Sequence, residues 1–217
     1  MHEDAPRYDE MLSFEAEHYN VKSDSFIRAT SKKNAALAPY DTYHKLLNVL
    51  DESSWNSAGQ KILWEFTVPQ DGLYTIGVRY LQNTDTDKPV YRRVEIDGAV
   101  PFAEWNALAF MGTKTGKYAN KTLNAGNEPA YIYLTAGTHT IAMTATMGPL
   151  KAVYDEIVTL MDDINALGMD IQKITAGQTD PNRTWNMEYY LPNAVNDLSV
   201  FANRIDGIYA ELEHISG

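Results

Sequence analysis

The sequence predicts a mainly β protein with an α-helical end: an antiparallel β-sandwich followed by an antiparallel two-helix hairpin. Three observations predict it. Apolar and polar residues alternate from Leu12 to about Met147, and turn signals separate the alternating runs. After Gly148 the apolar period lengthens from two to between three and four. That second pattern then holds without a break over Leu150, Val153, Ile157, Leu160, Ile164, Leu167, Ile171 and Ile174. The sandwich is expected over 8–148 and the hairpin over 149–217, with helices at 149–176 and 192–216.

Taking the elements in order, the first seven residues are polar, contain Pro6 and read as a flexible lead-in. "MLSFEAEHY" (11–19) reads as extended. "KILWEFTV" (61–68) sets Ile62, Trp64, Phe66 and Val68 on one face and Lys61, Leu63, Glu65 and Thr67 on the other. "PQDG" (69–72) is a turn in which Pro supplies a fixed φ and Gly a left-handed position. "LYTIGVRY" (73–80) resumes the alternation with Tyr74, Ile76, Val78 and Tyr80 inward, so the two runs read as a β-hairpin. In "YRRVEIDG" (91–98), Tyr91, Arg93 and Glu95 share one face and Arg92, Val94 and Ile96 the other. Asp97-Gly98 then supplies the usual hairpin turn. "AYIYLTAGTHTIAMTATM" (130–147) repeats the grammar around Ala136-Gly137, and its His139 reads as a hydrogen-bonded core histidine.

Pro149 suits a first helical turn and Ala176-Gly177 a C-terminal cap. Gly168, inside the first helix, costs about 1 kcal/mol relative to Ala. The second helix takes Val195, Leu198, Ala202, Ile205, Tyr209, Leu212 and Ile215 as its seam. The connector "GQTDPNRTWNMEYYLP" (177–192) is too long and aromatic to hang free, so Trp185, Tyr189, Tyr190 and Leu191 are expected to pack back.

Composition narrows the function. A net charge of -11 argues against a nucleic-acid surface, which needs clustered Lys and Arg. With no cysteine there are no disulfides, thiolate metal sites or cysteine nucleophiles. No apolar run is long enough to insert in a membrane, and the first residues lack the pattern of a signal peptide. No nucleophile-elbow, phosphate-loop, dinucleotide or HExxH pattern occurs. His2, His18, His44, His139 and His214 are scattered rather than set at metal-ligand spacing. The expectation is a protein that is not an enzyme.

What remains is binding. Sugar rings stack their C–H faces on Trp and Tyr while Asn, Asp and Arg bond the hydroxyls. Tyr40, Tyr43, Trp55, Trp105 and Tyr118 lie in turn-rich contexts, with Asn124 a polar neighbour, whereas Trp64 sits in an alternating strand and reads as core. Two acidic pairs suit calcium: Glu15 with Glu17, two apart on one strand face, and Asp85 with Asp87. Asp85 and Asp87 also read as a solvated turn.

Taken in order, "FEAEHY", "GQKILWEFTVPQDGLYTIGVRY", "VEIDG" and "YLTAGTHTIAM" resemble carbohydrate-binding modules with a galactose-binding-like jelly-roll fold. The resemblance covers roughly residues 12–148. It implies a jelly roll that holds an oligosaccharide or polysaccharide without changing it, and a structural calcium held by Glu15, Glu17 and Asp155. Tyr118 stands where those modules often carry Trp. A wider resemblance takes in "ITAGQTDPNRTWNMEYYLP" as well. It is to the amino-terminal region of bacterial extracellular solute-binding proteins of carbohydrate ABC transporters. That implies an extracellular or cell-envelope location and the remainder of a larger solute-binding protein as partner. The ligand-binding residues expected are Trp55, Trp105, Tyr118, Tyr43 and Asn124. The alternatives are a structural module whose heptad seam docks on its parent protein, and an accessory domain of a polysaccharide-degrading enzyme.

Overall fold

The computed structural model describes residues 5–34, 37, 43, 46–84, 86–113, 117–177 and 182–216. The first strands are β1 (Val21–Lys22), β2 (Ala29–Lys32), β3 (Leu47–Leu50), β4 (Lys61–Val68), β5 (Gly72–Tyr74), β6 (Gly77–Tyr80) and β7 (Val90–Ile96). A 3-10 turn, η1 (Ala103–Asn106), leads to β8 (Leu108–Phe110), β9 (Ala119–Thr122), β10 (Asn124–Ala125) and β11 (Glu128–Pro129). Then come β12 (Ile132–Leu134), β13 (Gly137–Thr146) and the helices α1 (Leu150–Thr175), α2 (Met187–Tyr190) and α3 (Ala194–Ser216). The chain divides between Gly148 and Pro149 into a β unit and a helical unit.

Alternation builds the β unit. In the five-stranded sheet, ordered β1-β4-β13-β7-β8, every ladder is antiparallel. Register sets Trp64 opposite Ile141 and Ile141 opposite Ile96, with Ile62, Met143 and Val94 two pairs further along, on the same face. These side chains form one face of the core, and Leu134, Tyr74, Leu123 and Trp105 from outside this sheet join the same cluster. On the opposite face Glu95 is buried between Lys61 and Arg93, bonded to the first and 3.0 Å from the second.

Two expected hairpins are not hairpins. β4 pairs with β1 and β13, while β5 pairs with β12. The β4–β13 ladder ends at Val68 and Gly137, and the β5–β12 ladder takes over from Gly72 and Leu134. The chain thus turns a corner twice at one place, and the Asp71 carboxylate accepts from the Ala136 amide across it at 2.7 Å. Nor does the run 73–80 stay one strand: β6 leaves β5 and pairs with β9. Pattern supplies the face a residue takes, whereas the partner strand is decided by closure of the core.

The lead-in is also held. The Tyr8 amide donates to the Leu73 carbonyl and the Leu73 amide to the Pro6 carbonyl, at 3.0 and 2.8 Å. A Cβ on Gly72 would lie 2.9 Å from that Pro6 oxygen, so glycine is required there. Residues 11–19 carry no strand. Their backbone turns at Glu15, whose carbonyl accepts from the His18 amide.

Asp97-Gly98 behaves as expected. Both residues have positive φ, +49° and +79°, and Ile96 and Ala99 exchange backbone hydrogen bonds across them. The Asp97 carboxylate then fastens this turn to β13. It accepts from the Thr140 amide at 2.8 Å and meets His139 Nδ1 at 2.7 Å. His139 Nε2 faces the Thr135 carbonyl at 2.8 Å, so both ring nitrogens point at acceptors and the imidazolium suits both.

In the helical unit α1 packs on α3, and α2 also lies against α1. Val153 and Leu160 are the buried residues of α1. Arg204 bonds Glu156 and Asp163, each at 2.6 Å, and Phe201 and Ile208, which share its face of α3, are half-buried. The seam read from the sequence is half-buried only at its end, at Leu212 and Ile215, whereas Val195, Leu198, Ile205 and Tyr209 are 73, 56, 52 and 62% exposed. In the connector Arg183 stacks on Trp185. Tyr189 and Tyr190 are exposed and meet only edge to face, contrary to the expected packing.

The His139 clasp makes stability depend on pH. Its pKa is raised, first by the Thr135 carbonyl, with burial opposing and Asp97 adding to the rise. That contribution is complete below the unfolded value of about 6.5 and is lost as pH rises through the raised folded value. The urea midpoint of the β unit is expected to fall over that range, and His139→Gln to flatten the decline. An unchanged profile in the variant refutes the clasp.

Candidate functional site

The residues that gather into a site surround Tyr118. The β2–β3 ladder pairs Thr30 with Val49 and Lys32 with Leu47, and delivers the chain to Asp51. Asp51 is a strong local organiser because Asp two residues before Ser closes a turn on its own side chain. Its carboxylate accepts from the Ser53 amide at 3.1 Å and hydroxyl at 2.6 Å, and from Thr30 Oγ1 at 2.8 Å. The Lys32 ammonium lies 2.8 Å away. Burial raises the Asp51 pKa, but Lys32, Ser53 and Thr30 outweigh it and hold the group well below the usual carboxylate range. Such a group is an acceptor. It is not a proton donor near neutral pH.

Tyr118 immediately precedes β9, whose ladder with β6 sets Arg79 opposite Asn120. The Arg79 guanidinium lies 5.8 Å from the centre of the Tyr118 ring. Burial raises the Tyr118 pKa, Lys32 and Arg79 act to lower it, and Asp51 and Glu52 act to raise it. The half-buried phenol thus shares one electrostatic neighbourhood with two cations and two carboxylates. An aromatic ring near charged donors and acceptors is chemistry suited to a hydroxyl-rich ligand.

The other expected binding residues lie as follows. Trp105, in η1, is 0% exposed and donates its indole N–H to the Asn124 carbonyl at 2.9 Å. It packs against Phe102 and offers no face to a ligand, and Asn124 is tied to it as a structural acceptor through its backbone. Aromatic size won there: a ring in a short turn beside the sheet fills the core. Trp55 is half-buried, donates to the Gln60 carbonyl at 3.1 Å and meets Trp64 edge to face. Arg92 lies 4.4 Å over its ring, and burial pulls that guanidinium's pKa down to about 10. One face of Trp55 is therefore occupied. Tyr43 is 91% exposed. Tyr40 and Asp85 lie outside the described residues.

Glu15 and Glu17 flank a turn in the β unit, and Asp155, in the helical unit, is bonded to Lys151 at 2.6 Å. Among the described residues no three His, Asp or Glu side chains gather where a metal ion could be held.

Lys32, Asp51, Arg79 and Gln60 were not singled out from the sequence. Gln60 ties its turn together: its Oε1 accepts from the Asn56 and Ser57 amides and its Nε2 donates to Asp24. Asp51-Glu52-Ser53 carried a usable signal, the Asp-x-Ser turn. Arg79 carried only its outward place between Val78 and Tyr80.

Comparison with known proteins places these units among others. Residues 152–217 match the family described as bacterial solute-binding protein, 4-helix bundle domain. No curated protein matches the chain. Among solved structures, the chain is similar to a Paenibacillus sp. cycloisomaltooligosaccharide glucanotransferase complexed with cycloisomaltoheptaose. There the identity is 19% and the TM-score 0.44, over 65% of this chain and 17% of that one. It is similar to a family 35 carbohydrate-binding module from Clostridium thermocellum at 18% identity and TM-score 0.38, over 55% of this chain and 78% of the module. For a Podospora anserina β-(1,4)-mannanase carrying such a module the values are 16% and 0.37, over 62% and 24%. The chain thus spans about a sixth of the glucanotransferase. Among the described residues no helix is long and apolar enough to cross a membrane.

Truncating the two tryptophans separates full from partial burial. Trp105→Ala is expected to cost about 3–5 kcal/mol in urea unfolding, as loss of a buried aromatic does. Trp55→Ala, half-buried, is expected to cost clearly less. Equal costs overturn the assignment of Trp105 to the core.

Proposed function

We propose that this chain is a non-catalytic part of an extracytoplasmic solute-binding protein of a carbohydrate ABC transporter. In this reading its β unit holds a saccharide at Tyr118. The observation that carries it is the match of residues 152–217 to a solute-binding-protein domain, directly behind a sandwich with one aromatic-centred polar cluster. Tyr118 supplies the stacking face, Arg79 and Lys32 donate to hydroxyls, and Glu52 accepts from them, while Asp51, its own acceptor positions filled by Thr30, Ser53 and Lys32, holds Lys32 in place. Asp51, pinned by three neighbouring residues, keeps its geometry before a ligand arrives. Tyr43 is exposed enough to serve as a second stacking ring.

A shallow polar site of this kind binds weakly, with a Kd of about micromolar to millimolar, or about -8 to -4 kcal/mol. Calorimetric titration with neutral oligosaccharides is expected to give a Kd in that window. Tyr118→Ala is expected to weaken it about tenfold, or about 1.4 kcal/mol, with the far-UV spectrum unchanged. No binding at millimolar saccharide refutes the reading, and full binding by Tyr118→Ala moves the site elsewhere. A second role, docking to the remainder of the parent protein, is favoured by the outward apolar seam of α3.

A further inference from the structure

α1 is apolar on more of its circumference than α3 covers. Beside its buried residues runs a second stripe, Leu150, Tyr154, Val158 and Met161, each more than a third exposed. Their spacings of four, four and three keep them on one side of a helix with 3.6 residues per turn. α3 repeats the arrangement: Phe201 and Ile208 lie on the covered side, and its outward seam runs in steps of three, four, three and four. Each long helix covers one apolar stripe of the other and leaves an adjacent one exposed, with α2 also against α1. That is how every helix of a four-helix bundle is shaped. The matched family is described by a four-helix bundle, and this unit supplies two long helices.

Charge selects the occupant. The outer flanks of the open stripes are mainly acidic, Asp162 on α1 and Asp206 and Glu213 on α3, while Asp155 is paired with Lys151. Across residues 149–217 eleven carboxylates face four Lys and Arg. A second copy of the chain would set these flanks against themselves, and like charges across a helical seam repel. We propose that the open stripes are completed by two amphipathic helices of another polypeptide segment. These carry an apolar heptad seam with Lys and Arg at its edges, and the four helices make one bundle. The proposal deepens the docking role and rests on the bundle assignment, not on saccharide binding.

The test uses the full chain and two synthetic helical hairpins with identical leucine heptads, one flanked by Lys and Arg and the other by Glu. Calorimetry and analytical ultracentrifugation are expected to show a 1:1 complex with the basic hairpin. The acidic hairpin is expected to bind at least about tenfold more weakly, and added salt to shrink the difference. Leu198→Asp with Ile205→Asp, both at exposed positions, is expected to abolish the complex while helicity and saccharide titration stay as in the wild type. Failure of both hairpins to bind overturns the proposal. So does a concentration-dependent dimer of the chain that the same double variant dissolves. Hairpin binding without saccharide binding sinks only the sugar site.

Discussion

The ladder between β4 and β13 is the constraint on which the β unit depends. Its eight register pairs fix which side chains meet at the centre of the core, and its far end fixes where the chain leaves the sheet. Because both strands leave together, at Val68 and Gly137, the second ladder starts already aligned. Asp71 and the Pro6 carbonyl close the corner from either side. The remaining small ladders, β2–β3, β6–β9 and β10–β11, hang on positions this corner sets. The cluster around Tyr118 is assembled by the first two, so its geometry is inherited from a core it does not touch chemically.

Proton chemistry makes a demand on a carboxylate that Asp51 does not meet. A general acid or base needs a pKa moved toward neutrality, and Asp51 is moved away from it. Its bonds to Thr30, Ser53 and Lys32 keep it ionised and stationary and fill its acceptor positions, so it acts as a local organiser. The same logic runs through Asp97, whose charge is opposed by burial and restored by the Thr140 amide and His139. There the outcome is a fastened turn and not a site.

Much of the fold was legible because period is local. Ile62, Trp64 and Val68 alternate whatever they pair with, Asp97-Gly98 turns wherever it stands, and α1 and α3 announce themselves at 3.6 residues per turn. Partnership is not local. β4 and β5 looked like a hairpin because nothing in residues 61–80 reveals that β13 and β12 compete for them more successfully. The α3 seam was misassigned for a related reason. A helix with two apolar stripes shows a regular heptad in either, and only Arg204 reaching Glu156 and Asp163 says which one meets α1. Of the expected binding residues, Tyr43 is exposed and Tyr118 half-buried while Trp105 is core, since a loop aromatic has the same sequence context in each case. Lys32 and Arg79 reach Tyr118 only through folding.

The Arg204 clasp also bears on how α3 finds its alignment along α1. Glu156, Asp163 and Asp170 recur every seven residues, so they are one heptad position repeated three times. A guanidinium bridging the first two would find an equivalent pair one heptad further on, about 10 Å along the axis. Charge alone would then leave two alignments nearly degenerate. Lys173 bonds Asp170 at 2.6 Å and partly neutralises the second pair. That charge lowers the attraction which the slipped pair offers a guanidinium. It makes the slipped alignment the poorer one before side-chain packing is counted.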